Sequence, residues 1–171
     1  MKKIFRHISQ IFFIISMPLF SWSQNPEGFD KMAKKMAESS VPVIQSEQAN
    51  SLLVSGKNIL FLDAREKNEF DVSHIKNSIF VGYDDFNLSS LKDIPKNQMI
   101  VIYCSVGYRS GKIGSQLREA GYTAVFNLYG GIFDWANNGF DIYHGDKKTT
   151  KVHPYSTKWG KWLKPELRNK L

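Results

Sequence analysis

The sequence predicts an α/β domain with a central, mainly parallel five-stranded sheet and helices on both faces. Three observations carry that prediction. Apolar runs alternate with helical patterns from Val43 to Asn137, the order that strand–helix–strand units require. Two of those runs, Ile59–Leu62 and Met99–Tyr103, show no polar alternation, as expected of strands buried on both faces. Glycines stand where helices must stop, at Gly56, Gly121 and Gly139.

The elements follow in order. Asn25 to Ser40 places Phe29, Met32, Ala33 and Met36 at helical spacing, with Lys31, Lys34 and Lys35 off that face; a helix lying on the domain is expected. Pro42 ends this lead-in, residues 24–42. Val43-Ile44 is a short strand, and Ser46 is expected to cap a helix through about Val54. Ile59–Leu62 is a strand, Glu66–Val72 a short helix, Ile79–Tyr83 a strand and Leu88–Leu91 one helical turn. Met99–Tyr103 and Val125–Leu128 are strands, and Ser110–Ala120 and Ile132–Asn137 are helices. Residues 43–145 form the expected domain, followed by a tail, 146–171. Nothing repeats internally.

Met1 to Ser23 has the layout of a cleavable export signal. Lys2, Lys3 and Arg6 precede an apolar stretch from Ile11 to Phe20, and Ser21-Trp22-Ser23 supplies the small residues a signal peptidase reads. The stretch is about half the ~20 residues a spanning helix needs, and Ser16 and Pro18 interrupt it. A periplasmic or extracellular location is therefore expected. Without this segment the formal net charge falls from +7 to +4. The remaining charge is uneven: Val41–Gly145 holds nine Lys and Arg against eleven Asp and Glu, and Asp146–Leu171 holds eight against two. The basic character belongs to the tail, which argues against a nucleic-acid partner for the folded body.

The chain has one cysteine, Cys104, so no disulfide can form within it. It is the first residue past the Met99–Tyr103 strand, and open parallel sheets bind ligands beyond the carboxyl ends of their strands. Gly107 lets the backbone curl, Ser110 is expected to cap the next helix, and Arg109 adds a positive charge. Residues 105–110 (Ser105, Val106, Gly107, Tyr108, Arg109 and Ser110) can form a nest of N–H groups over a helix start. A thiolate, an oxyanion or a persulfide suits such a nest.

FLDAREKNEFDVSHIKNSIFV, VIYCSVGYRSGKIGSQLREAGY and VFNLYGGIFDWANNGF stand in this order. They resemble the front signature, the active-site loop and the closing segment of the rhodanese-like sulfurtransferase family. The resemblance covers about Val41 to Asp141. It implies a rhodanese-like fold, with Cys104 as the nucleophile that takes a sulfane sulfur from thiosulfate or a persulfide and passes it to a thiophilic acceptor. His144 and His153 stand nine residues apart with no carboxylate pattern around them, so no metal site is expected, and no cofactor is expected either. Related phosphatases and arsenate reductases use a loop one residue longer; Cys104 to Arg109 is six residues, the shorter form. A non-catalytic partner-binding module is the rival from another class, and an intact cysteine and loop argue against it.

Asp63 and Arg65 match the family's Asp-x-Arg and read as a buried ion pair supporting the site. His74 reads as structural, since a loop-stabilised thiolate needs no general base. Gly130-Gly131 reads as a tight turn. Arg109 is the only cation of the loop, so a protein persulfide or polysulfide donor fits as well as thiosulfate. The tail combines lysines with Tyr155, Trp159 and Trp162. That mixture suits contact with an anionic membrane surface or with a partner's acidic face, but a strap packed back onto the domain is the preferred reading.

Overall fold

The computed structural model describes residues 26–37 and 41–171. The expected signal segment, Met1–Ser23, lies outside them. Five parallel strands form the central sheet: β1 (Val43–Ile44), β2 (Ile59–Asp63), β3 (Ile79–Phe80), β4 (Met99–Tyr103) and β5 (Val125–Leu128), in the order β1-β5-β4-β2-β3. The helices are α1 (Pro26–Met36), α2 (Ser46–Val54), α3 (Lys67–Val72), α4 (Tyr108–Glu119) and α5 (Gly131–Asn137), with a 3-10 turn at Leu88–Leu91. This is the expected α/β sheet covered on both faces.

Alternate residues of β4 point to opposite faces. Val101 and Tyr103 join a core with Trp135, Phe133, Ile132 and Ala49, against which α1 lays Phe29, Met32 and Met36. Ile100 and Ile102 join a second core with Ile113, Leu117 and Tyr122. All four of these β4 residues are buried, which explains their unbroken apolar run.

Three local expectations need correction. Ser46 does not cap α2. Extended Gln45 (φ −75°, ψ 150°) takes the cap position, and the buried Ser46 hydroxyl donates to Asp134 at 2.6 Å. Ser110 does not cap α4. Gly107, at φ +104°, starts that helix two residues earlier, in a region that glycine enters without steric cost. The strand expected over Ile79–Tyr83 is only Ile79–Phe80, because β3 is a sheet edge and the chain turns away at Gly82 (φ +70°).

The basic tail folds back. A hairpin of β6 (Ile142–His144) and β7 (Lys147–Thr149) spans the 145/146 boundary. The strap beyond it carries a short helix, α6 (Thr157–Gly160), and buries Val152 and Leu163 completely. The Asn137 side chain clasps it, donating to the Trp162 carbonyl at 2.8 Å and accepting from the Lys164 N–H at 3.0 Å. Trp162 also meets Phe29 of α1 edge-on at 6.1 Å. Among the described residues, no helix is long and apolar enough to cross a membrane.

At the end of β2, Asp63 and Arg65 form an ion pair at 2.6 Å with both side chains fully buried. Arg65 also donates to the Ser73 carbonyl at 2.6 Å, which ties β2 to the end of α3. Burial acts to lower the Arg65 pKa, but the charge and hydrogen bonds of Asp63 outweigh it and keep the guanidinium firmly protonated. Removing one partner leaves a buried charge uncompensated. Asp63→Asn is therefore expected to destabilise the fold by about 3–5 kcal/mol, read as a lower urea midpoint. A loss below about 1 kcal/mol would show that the pair contributes no more than a surface pair.

Candidate active site

The loop after β4 is built from its backbone outward. Gly131 (φ +58°) lies against it so closely that a Cβ there would sit 2.2 Å from the Cys104 carbonyl oxygen. The first N–H groups of α5 hold the loop's carbonyls: Ile132 donates to Cys104 at 2.9 Å and Phe133 to Ser105 at 3.2 Å. With those carbonyls held, the Gly107 N–H donates to Cys104 Sγ at 3.1 Å. Asn127 on β5, fully buried, fixes the far side of the turn. Its Nδ2 donates to the Gly107 carbonyl at 2.9 Å, and its Oδ1 accepts from the Ser110 hydroxyl at 2.8 Å. Ser110 Oγ lies 3.5 Å from Sγ, but its single proton serves the shorter bond to Asn127.

Charge enters through Glu69, a residue that sequence reasoning did not single out. Its carboxylate is 1% exposed. It accepts from the Ser105 hydroxyl at 2.7 Å and from both terminal nitrogens of Arg109 at 2.8 and 2.9 Å. The Glu66 N–H adds a bond at 3.1 Å. Arg109, expected to add a positive charge at the loop, has its fork committed to Glu69 and to Ser105 Oγ at 3.0 Å. Burial acts to raise the Glu69 pKa, but the hydrogen bonds and charge of Arg109 outweigh it and hold the carboxyl below its ordinary value.

A pocket of about 300 Å³ opens over the loop, lined by Cys104, Ser105, Val106, Tyr108 and Arg109 together with Met36, Tyr155 and Trp159. Cys104 itself is only 1% exposed. Gly107 and Ser110 support the loop from behind. Asp63 and Arg65 sit beneath the carboxyl end of the sheet. His74 is elsewhere: it stacks on Phe70 at 4.2 Å and lines a separate cavity with Tyr143, Lys76 and Asp146. No cluster among the described residues is suited to hold a metal ion. Sequence reasoning missed Glu69, Asn127, Met36 and the pocket roles of Tyr155 and Trp159. The available signal for Glu69 was two glutamates three residues apart at a helix start.

The profile of the rhodanese-like domain family matches residues 46–138, just over half of the chain. A sulfurtransferase from Allochromatium vinosum is 32% identical over 99 residues, covering 58% of this chain and 92% of that protein. A tRNA uridine(34) hydroxylase from Buchnera aphidicola is 35% identical over 100 residues, covering 56% of this chain and 31% of the hydroxylase. The chain thus spans about a third of the length of that relative. Two solved structures share the fold. One is the rhodanese-like domain of an Anabaena protein, with a TM-score of 0.56, 21% identity and coverage of 62% of this chain and 83% of that one. The other is a thiosulfate sulfurtransferase from Pseudomonas aeruginosa, with a TM-score of 0.56, 22% identity and coverage of 78% and 26%.

The Glu69 network makes a pH prediction. A carboxyl held below its unfolded value of ~4.3 adds stability above that pH and loses it as the pH falls through the folded value. Glu69→Gln should therefore narrow the difference in unfolding free energy between neutral pH and pH ~3, measured by urea denaturation. An unchanged difference would contradict the network. Gly131→Ala should distort the loop outright, because the added Cβ meets backbone rather than a movable side chain; wild-type stability and an unchanged loop would contradict that. The profile match, the motif order and the shared sheet topology agree: the chain belongs to the rhodanese-like domain family.

Proposed function

We propose that this protein is a sulfurtransferase that carries one sulfane sulfur on Cys104. The observation that carries the reading is the placement of Sγ: it accepts the Gly107 N–H at 3.1 Å, in a loop whose carbonyls are held by α5, beside an open pocket. The donor half-reaction balances simply. The Cys104 thiolate attacks the outer sulfur of thiosulfate or of a persulfide. A new S–S bond forms, the donor's own S–S bond breaks, and sulfite or a thiolate leaves with the electron pair. The outer sulfur stays on Cys104 as an anionic persulfide. A thiophilic acceptor then attacks that terminal sulfur and returns the thiolate.

Backbone donors and the α4 start suit the terminal anion, a role akin to an oxyanion hole. The Allochromatium sulfurtransferase, matched over nearly its whole length, supports transfer chemistry. The hydroxylase activity of the longer relatives is not carried over, since the match covers about a third of them.

Intact mass spectrometry after incubation with a sulfane donor tests the reading. One added sulfur atom on the wild-type chain and none on Cys104→Ser is the expected result. Cys104→Ser should also lose all transfer to cyanide while keeping its circular dichroism spectrum. Retained transfer by that variant would remove Cys104 as the nucleophile.

A further inference from the structure

Part of the pocket wall comes from two segments outside the family-matched residues 46–138: α1 supplies Met36, and the strap supplies Tyr155 and Trp159. Both are anchored. Tyr129 donates to the Asp30 carboxylate at 2.6 Å and holds α1 to the end of the sheet, and Phe29 and Trp162 join α1 to the strap. The Ser156 hydroxyl accepts the Trp159 N–H at 3.4 Å and caps α6.

Tyr155 is the most specialised of the three. It takes φ +61°, a sparsely populated region for a bulky side chain. Its N–H donates to His153 Nδ1 at 3.0 Å, and its ring faces the Arg109 guanidinium at 4.9 Å. The ring is half exposed, so the constrained turn serves to aim it at the pocket rather than to fill a core.

Charge in the pocket is balanced. Arg109 is the one cationic residue among those lining it. Its guanidinium is paired bidentately with Glu69 and lies 3.5 Å from Glu66. An incoming dianion thus gives up hydration to apolar walls with little net charge to receive it. A donor that places its charge at the loop and an apolar group against Met36, Tyr155 and Trp159 gains from burial instead. The volume of about 300 Å³ has room for such a group, given that benzene occupies a dry cavity of about 150 Å³.

We propose that α1 and the strap make Cys104 selective for organic sulfane-sulfur monoanions bearing an apolar or aromatic group, over inorganic thiosulfate. The proposal rests on the sulfur-transfer reading. With an aryl thiosulfonate the step balances: the Cys104 thiolate attacks the outer sulfur, a new S–S bond forms, the bond to the sulfonyl sulfur breaks, and the aryl sulfinate leaves with the electron pair.

The experiment uses the full chain, with benzenethiosulfonate and thiosulfate as donors and cyanide as acceptor. The two donors differ in intrinsic reactivity, so the quantity read is the ratio of their kcat/KM values, compared between wild type and variants. Trp159→Ala and Tyr155→Asn should each lower the benzenethiosulfonate-to-thiosulfate ratio about tenfold. Asn tolerates positive φ, so Tyr155→Asn preserves the turn even if Trp159→Ala disturbs the fold. Calorimetry on Cys104→Ser gives a readout free of chemistry: benzenethiosulfonate should bind about tenfold or more tightly than thiosulfate. An unchanged ratio in folded Tyr155→Asn, or tighter thiosulfate binding, overturns the selectivity. If both donors load Cys104 and the ratio does not move, selectivity alone fails. If neither donor loads Cys104, the transfer reading fails and the selectivity falls with it.

Discussion

One buried carboxylate organises the reactive end of this domain. Glu69 stands in the first turn of α3 and accepts hydrogen bonds from Ser105, from both terminal nitrogens of Arg109 and from the Glu66 backbone. These bonds join α3, the loop after β4 and the first turn of α4. A carboxylate with so little access to water persists as a charge only when it is paired and hydrogen-bonded, and Arg109 supplies both. The guanidinium therefore acts as a strut for the loop. The sulfur accepts the Gly107 N–H, in a loop whose carbonyls are held by the N–H groups of α5.

That division of labour separates the loop from the pocket above it. The loop is built by residues within the family-matched segment. The pocket is closed by chain on either side of it, and the two flanks touch through Phe29 and Trp162. A nucleophile held mainly by backbone accepts many donors in principle, so discrimination falls to whatever surrounds it. Here the two flanks add a thioether, a phenol and an indole to the residues of the loop itself.

The sequence made the sheet legible because its central strands are buried on both sides. Ile59–Leu62 and Met99–Tyr103 have no polar residue to confuse the pattern, and the reactive residue follows directly from the end of the second. Two of the helix starts differ because a polar side chain bonds to a distant partner and not to a local one. Ser46 bonds to Asp134, 88 residues away, and Ser110 to Asn127, 17 residues away, although both had the right composition for helix caps. The Glu69–Arg109 pair spans 40 residues, and local spacing carries no trace of it. The aromatic character of the tail was visible, but which face of the domain it covered depended on contacts such as the Asn137 clasp, which only folding reveals.

The loop is assembled by its neighbours before any sulfur arrives. A crystal structure of the protein after loading from a sulfane donor tests it most directly. Density is expected for a second sulfur bonded to Cys104 Sγ, with the loop backbone, the Glu69–Arg109 pair and the Ile132 bond to the Cys104 carbonyl all where they stand without it. A rebuilt loop with that pair opened, or a sulfur carried on any other atom, would contradict it.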